Sequence, residues 1–337
     1  MASGSGVQAK KSLQQVRKLY GQIWPDLQGV EEIIRSHFSS DSTYIQGLLE
    51  HLTRFAGKRI RPALLLLSAR ATGPITDLHR KLAASVEMLH NATLVHDDVL
   101  DEALVRRTCH TINRVWDNEQ AIIFGDFVFA KTFTLVASLD DAEAFRTLTQ
   151  AADRICTGEL MQLSKKYQSD VDEPEYMKMI ELKTASLFEA SCRLGTLGHK
   201  VSDRSRDALG DYGRNLGLAF QIVDDCLDIV GEENIMGKSL GTDITKGKVT
   251  LPIIRLIRAL PAREAKDVRA MISMVDHEQE KRREISRRVR ELDLVPACIQ
   301  IARDHIWAAR QALSSIPETP ETKSLYEIAD FVIDRVT

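Results

Sequence analysis

The chain has 337 residues, of which 44% are hydrophobic and 28% are charged, the composition of an ordinary globular protein. A formal net charge of −3 provides no basic field for nucleic acid, so we expect any polyanion to be bound by a local cluster of Lys and Arg. The five widely spaced cysteines include no CxxC pair, which argues against a disulfide framework or a zinc knuckle and indicates a reducing, cytoplasmic location.

Helical patterns predominate along the chain. Residues 1–15, which begin MASGSG, are predicted to be a flexible leader because they lack the apolar run of a signal peptide. Residues 79–101 and 206–231 carry apolar stripes of helical period, and residues 121–139 are apolar nearly all round, which predicts a buried central helix. No apolar run approaches the roughly 20 residues that span a bilayer, so we expect no transmembrane segment. We predict that residues 16–337 form one all-α domain.

Two acidic motifs share the pattern Asp-Asp-x-x-Asp. They consist of Asp97, Asp98 and Asp101 in LVHDDVLD and of Asp224, Asp225 and Asp228 in QIVDDCLD. Residues four apart lie on one face of a helix, and each motif follows an apolar helical run. Carboxylates at a helix C-terminus oppose the helix dipole, so a divalent cation with oxygen ligands is expected to join them. A solvated helix end would account for one such motif, but the repeated pattern favours a site for Mg²⁺.

Basic residues of phosphate-binding type are clustered near these motifs in the sequence. Lys58, Arg59 and Arg61 in GKRIRP precede an apolar helix that is predicted to begin at Pro62, where free backbone N–H groups attract anions. Further candidates are Arg106, Arg107, Lys183 with Thr184, Lys238 and Lys248. Taken singly, each would more often be a solvated surface charge. The segment GKSLGTDITKGK lacks the spacing of a P-loop.

Two histidines, His90 and His96, precede the first acidic motif on its apolar side. No spaced His, Cys and Asp trio indicates nucleophilic catalysis. His96 is predicted to be a hydrogen-bonded structural residue. His90, a little under two turns before Asp97, is a candidate for contact with a phosphate.

In their order and spacing these motifs resemble the trans-type polyprenyl diphosphate synthases. The resemblance extends from AGKRIRP through HNATLVHDDVLDEALVRR, ELKTASLFEA, GLAFQIVDDCLD and GKSLGTDITKGKVTLP to the terminal IADFVIDR. It implies a single-domain orthogonal helix bundle with a central apolar cavity, usually a homodimer. It also implies head-to-tail condensation of isopentenyl diphosphate with an allylic diphosphate, which is geranyl, farnesyl or geranylgeranyl diphosphate.

The resemblance also implies residue roles. Asp97 and Asp101, with Asp98 beside them, would hold two Mg²⁺ ions on the allylic diphosphate, and Asp224 would hold a third. Asp225 and Asp228 would support Asp224. The residues expected to contact the allylic diphosphate are Arg106, Lys183, Thr184, Gln221, Lys238 and Lys248. Those expected to bind isopentenyl diphosphate are Lys58, Arg61, His90 and Arg107. The chain departs from the family pattern at Ala56, where a glycine is usual, and at 108–111, where the family reads Gly-x-Pro-Thr.

Product length is expected to depend on the side chains that precede Asp97 on its helix. Ala92 lies five residues earlier, about 7–8 Å along the helix, and Thr93 lies four residues earlier. A bulky aromatic residue at either position stops elongation early in this family, so two small residues predict a medium- or long-chain product. Alternatively, Ala92 is simply a small residue at a tight helix crossing. If Ala92 and Thr93 leave the tunnel open, the residues expected to close it are Leu89, Met88, Phe124 and Phe127.

Three other functions remain open at this stage. The first is a short-chain synthase that makes farnesyl or geranylgeranyl diphosphate. The second, a class I terpene cyclase, would normally lack GKRIRP and carry an Asn/Ser/Glu metal motif in place of the second acidic motif. The third, a non-catalytic subunit of a heteromeric synthase, would have lost acidic motifs that this chain keeps.

Overall fold

The computed structural model describes residues 19–335, except for residue 56 and the segments 107–108, 231–241 and 274–278. The predicted leader, residues 1–15, lies outside the described residues, and its boundary stays a prediction. The α-helices of the described residues are α1 (Trp24–His37), α2 (Thr43–Thr53), α3 (Ile60–Thr72), α4 (Asp77–Leu100), α5 (Ile112–Val115), α6 (Asn118–Ala137), α7 (Ala142–Ser164), α8 (Glu173–Ile180), α9 (Ser186–Leu194), α10 (Asp203–Val230), α11 (Thr242–Thr245), α12 (Leu251–Ala259), α13 (Ala262–Ser273), α14 (Gln279–Glu291), α15 (Val295–Leu313) and α16 (Pro320–Ile333).

Other regular structure in the described residues is slight. A 3₁₀ turn precedes α1 at Gly21–Ile23, and a π-helical turn joins α8 to α9 at Glu181–Ala185. Two antiparallel strands of two residues each, β1 (Val105–Arg106) and β2 (Cys109–His110), follow α4. The predicted all-α class is confirmed.

The described residues divide into two compact units, each assembled from three stretches of chain. The first unit contains the residues up to Ala152, Ala190–Gly210 and Ser315–Leu325. The second unit contains Asp153–Glu189, Asp211–Ser314 and the residues from Tyr326 onward. The first acidic motif therefore belongs to the first unit, and the second acidic motif belongs to the second.

Helix α4 is the central element of the first unit, where it packs against α6, α1 and α3. Its start is fixed by His79, whose Nδ1 accepts a bond from the Thr76 N–H at 3.0 Å. The His79 Nε2–H then donates to the Leu197 carbonyl at 2.9 Å, and burial lowers the pKa of His79 to about 4. Because this end is fixed, the 24-residue helix carries the first acidic motif at its other end, as predicted.

Two sequence predictions need correction in the first unit. Helix α3 begins at Ile60 and not at Pro62, which occupies the third helical position. There the missing N–H of Pro62 costs no intrahelical hydrogen bond, because the first four N–H groups of a helix have no such partner. Helix α6 was expected to be buried all round, but Ile122 and Ile123 on it are 44% and 67% exposed.

By length and composition, α6 is also the one described helix that could cross a membrane, with 39% of its most apolar window buried. The core helix of a water-soluble protein meets the same criterion. Its packing along α4 identifies it as a core helix with one uncovered face.

In the second unit, α12 packs against α8, α13, α14 and α15. The last turns of α10 are apolar and buried, with Ile222, Val223 and Cys226 fully enclosed. The second acidic motif therefore ends an apolar helix in the same way as the first.

Candidate functional site

The first acidic motif contains two partly exposed carboxylates and one buried carboxylate. Asp97 and Asp101 are half-buried and lie one helical turn apart, where the Asp101 N–H donates to the Asp97 carbonyl at 2.8 Å. Asp98 is buried, and Arg106 Nε donates to its two oxygens at 2.8 and 2.9 Å. Burial raises the pKa of Asp98, and the bonds from Arg106 oppose this rise. Arg106 is therefore the counter-ion of Asp98 in the structure.

Two residues predicted to bind isopentenyl diphosphate, Arg61 of the basic motif and His90 of α4, are in contact. Arg61 Nη1 donates to His90 Nε2 at 3.1 Å, so the helix that carries the first acidic motif also supports the basic motif. Lys58 is half-buried at the start of the same segment. Arg107, the fourth residue predicted to bind isopentenyl diphosphate, lies outside the described residues.

The second acidic motif places its three carboxylates in different surroundings. Asp224 Oδ1 forms an ion pair with Arg335 Nη2 at 2.6 Å. Asp225 is buried and accepts hydrogen bonds from Tyr176 Oη and Gln221 Nε2, both at 2.7 Å. Asp228 accepts the backbone N–H of Asp243 at 3.2 Å and so fixes the start of α11. Asp228 thus holds the backbone next to the motif.

A cavity of about 80 Å³ lies beside this motif within the second unit. Its lining includes Lys183, Thr184, Gln221, Asp225, Asp243 and Lys248. Thr184 Oγ1 donates to Gln221 Oε1 at 2.8 Å, so a chain of hydrogen bonds runs from Thr184 through Gln221 to Asp225. The structure therefore gathers five of the predicted residues, from three separate stretches of sequence, around one cavity. Lys238, the remaining candidate of this unit, lies outside the described residues.

The π-helical turn places Lys183 and Thr184 at this cavity. Such turns are rare, and they occur often at functional sites. Two glycines allow neighbouring helices to approach the turn closely: a Cβ at Gly158 would lie 2.5 Å from the Lys183 nitrogen, and one at Gly217 would lie 2.6 Å from the Ala185 Cα. Lys183 Nζ donates to Gln162 Oε1 at 3.0 Å and pairs with Glu159.

The second motif has an excess of buried negative charge. Burial, and next the charge of Asp243, raise the pKa of Asp225 to about 8, although the bonds from Tyr176 and Gln221 lower it. A bound cation would remove this cost, and carboxylate oxygens are the donors that Mg²⁺ prefers. Among the described residues no three His, Cys, Asp or Glu side chains form a metal cage. The carboxylates of the second acidic motif suit Mg²⁺, which is usually held by one or two carboxylates together with water and substrate phosphate.

The residues predicted to set product length differ in exposure. Met88, Leu89 and Ala92 are fully buried, whereas Thr93 is half-buried and donates its hydroxyl to the His90 carbonyl at 2.8 Å. Thr93 therefore offers surface to a ligand where Ala92 offers none. The prediction that His96 is a structural residue is confirmed, since its Nε2 bonds to the Ile122 carbonyl at 3.0 Å.

Three residues of the second site were not identified from the sequence. Tyr176 lies in an unremarkable helix, and its bond to Asp225 spans 49 positions. Asp243 could have been identified as the acidic residue within the basic segment GTDITKGK. Arg335 ends the family-like IADFVIDR, but no local pattern indicates its ion pair with Asp224.

Comparison with known proteins places this chain among prenyl diphosphate synthases. A family model described as polyprenyl synthetase matches residues 42–291. The chain is 33% identical to the octaprenyl diphosphate synthase of Escherichia coli (strain K12), over 96% of this chain and 99% of that protein. It is 36% identical to the short chain isoprenyl diphosphate synthase of Methanothermobacter thermautotrophicus, over 85% and 89% of the two chains. A polyprenyl synthase from Caulobacter crescentus CB15, solved with calcium and isoprenyl diphosphate, matches with a TM-score of 0.91, 34% identity and 96% and 98% coverage.

Asp225 should make the stability of the metal-free protein depend on pH. Its pKa is raised from 3.8 to about 8, so the folded protein binds a proton that the unfolded chain releases above about pH 4. This contribution to stability is complete below pH 3.8 and is lost as the pH rises through about 8. Between pH 6 and 8, with EDTA present, the melting temperature of the native protein should fall more than that of Asp225→Asn.

The exposed substitution Asp41→Asn is the matched control and should keep the native pH dependence. Parallel melting curves for the native protein and Asp225→Asn across this range would show that Asp225 is ionised in the folded protein.

Proposed function

The chain belongs to the polyprenyl synthetase family, and we infer that it condenses isopentenyl diphosphate with an allylic diphosphate to give a medium- or long-chain all-trans polyprenyl diphosphate. Membership of the family confirms the predicted prenyltransferase activity. The observation that supports this assignment is the pair of acidic motifs with the same Asp-Asp-x-x-Asp pattern, each at the C-terminal end of a buried apolar helix.

We assign the metal-binding role to three carboxylates. Asp97 and Asp101 hold two Mg²⁺ ions and Asp224 holds the third, with Asp98, Asp225 and Asp228 in support. The ions would neutralise the negative charge that develops on the diphosphate leaving group. Arg335 is the counter-ion of Asp224 in the structure, and a bound metal would supply the same compensation.

The cationic and polar side chains bind the two diphosphates. Lys183, Thr184, Gln221, Lys238 and Lys248 bind the allylic diphosphate, as does Arg106, which also compensates Asp98. Lys58, Arg61, His90 and Arg107 bind isopentenyl diphosphate. When the allylic C–O bond ionises, these groups stabilise the departing diphosphate, and the alkene of isopentenyl diphosphate attacks the allylic cation. The released diphosphate accepts the proton, so no protein nucleophile is required.

A medium- or long-chain product is supported by the small residue at the exposed chain-length position. Thr93 has partly accessible surface, and its side chain is too short to stop elongation. The octaprenyl diphosphate synthase relative supports the same conclusion. A short-chain product is the second candidate, because the short-chain relative is 36% identical over 85% of this chain.

We propose that the enzyme is a cytoplasmic homodimer. All five cysteines are free thiols, as expected in a reducing compartment. In the first unit, Ile122, Ile123 and Phe145 expose apolar surface that a second copy of the chain would cover.

The central experiment measures products and metal dependence together. The protein is incubated with Mg²⁺, isopentenyl diphosphate and farnesyl diphosphate, and the dephosphorylated products are sized by mass spectrometry. We expect products of six or more isoprene units, and a loss of turnover of about 10³-fold or more in Asp97→Ala and Asp224→Ala, since each removes a metal ligand. Circular dichroism should show that both variants are folded. Near-native rates in either variant would contradict the metal assignment.

Thr93 should control product length. Thr93→Phe adds a ring at the half-buried position, so the longest product should shorten by two or more isoprene units while consumption of the first isopentenyl diphosphate continues. Thr93→Val, which has nearly the same shape, should keep the native distribution. An unchanged product distribution in Thr93→Phe would show that Thr93 does not line the product tunnel.

The exposed face of α6 should control the oligomeric state. Ile123→Glu places a charge on the apolar face and should shift the protein from dimer to monomer in sedimentation velocity experiments. Trp307→Glu alters a residue of similar exposure on α15 and serves as the control. A dimer that persists in Ile123→Glu would show that subunits meet elsewhere.

A further inference from the structure

Arg59 adopts a backbone conformation that L-residues with side chains rarely take. It immediately precedes α3, with φ of 52° and ψ of 39°, in the left-handed region. Glycine is the usual residue in this region because a Cβ is crowded there. Such conformations persist only where the surrounding structure enforces them. Arg59 lies between Lys58 and Arg61, the two predicted diphosphate ligands of the basic motif.

Two carboxylates enforce this conformation through the Arg59 side chain. Arg59 Nε and Nη2 donate to the two oxygens of Glu31 at 2.5 and 3.2 Å, and Nη1 donates to Glu87 Oε1 at 2.5 Å. The side chains of Arg59 and Glu87 are only 14% and 5% exposed. Burial lowers the pKa of Arg59, but Glu87 and Glu31 outweigh this effect and raise it overall. The guanidinium group is therefore permanently charged and held from two sides.

This arrangement makes Arg59 unsuited to bind substrate itself. All three of its nitrogens already donate to carboxylates, and two carboxylates around one guanidinium leave a net charge of −1. A diphosphate would be repelled from such a group. Arg59 therefore differs from Lys58 and Arg61, although all three stand in one basic segment.

One face of α4 connects the Arg59 clamp to the basic motif. Glu87 and His90 are three residues apart and share that face. Glu87 holds Arg59, and His90 Nε2 accepts from Arg61 Nη1 at 3.1 Å. The two arginines of GKRIRP are thus fixed by neighbouring positions of the helix that carries the first acidic motif.

We propose that Arg59, clamped by Glu31 and Glu87, is a positioning residue that holds the left-handed turn and so presents Lys58 and Arg61 to isopentenyl diphosphate. This inference rests on the proposed function. Arg59 acts through its neighbours, so its loss should weaken the site for isopentenyl diphosphate and spare the site for the allylic substrate.

The test compares the two Michaelis constants of Arg59→Lys with those of the native enzyme. Lysine keeps the charge but cannot reproduce the planar fork that engages two carboxylates. We expect KM for isopentenyl diphosphate to rise about tenfold, because Lys58 and Arg61 would be slightly displaced. KM for farnesyl diphosphate should stay unchanged within about twofold. Glu31→Gln weakens the clamp at its more exposed member and should raise the same KM severalfold in a protein that folds.

Arg70→Lys is the matched control, because Arg70 lies at the opposite end of α3 and also pairs with a glutamate, Glu321 of α16. It should leave both constants unchanged. Unchanged KM for isopentenyl diphosphate in Arg59→Lys and Glu31→Gln, or an equal rise in both constants, would overturn the positioning role. Absence of turnover by the native protein in the same assay would instead refute the proposed function.

Discussion

Carboxylates collected at the C-terminal ends of buried helices are the constraint on which the rest of this structure depends. A helix C-terminus already has negative potential, and burial removes the water that would otherwise stabilise an ionised carboxyl group. The protein compensates each such group in a different way. Arg106 neutralises Asp98, Arg335 neutralises Asp224, and Asp225 has a pKa raised to about 8. We propose that Mg²⁺, held jointly with a diphosphate, provides further compensation at both motifs.

In the basic motif the charge to be compensated is positive, and ion pairs again compensate it. If Lys58 and Arg61 bind a diphosphate, as we propose, the guanidinium group that fixes their backbone has to be compensated by other residues. Arg59 achieves this because Glu31 and Glu87 consume its hydrogen-bond donors. We therefore propose different roles for neighbouring residues of one short segment: Arg59 holds the turn, and Lys58 and Arg61 bind the diphosphate.

Much of the fold and site could be predicted because it depends on local periodicity. The apolar stripe of α4 and the spacing of Asp97 and Asp101 predict a helix that ends in the first acidic motif, and α4 has that form. The family-like motifs predicted Lys183, Thr184, Gln221 and Lys248, which line one cavity.

The remaining features depend on contacts between residues distant in sequence. No local pattern indicates that Tyr176 bonds to Asp225 or that Arg335 pairs with Asp224. The left-handed backbone of Arg59 is likewise set by Glu31 and Glu87, each 28 positions away. The exposed face of α6 was not predicted, because amino-acid composition indicates how apolar a helix is but not which other elements pack against it.

Calorimetric titration of inorganic diphosphate into the protein tests the central claim most directly, because it separates binding from turnover. If the acidic motifs bind diphosphate through Mg²⁺, diphosphate should bind tightly with the metal present and at least about tenfold more weakly in EDTA, since the carboxylates alone repel it. Equal affinity under both conditions would contradict the account, because the basic side chains alone would then hold the anion.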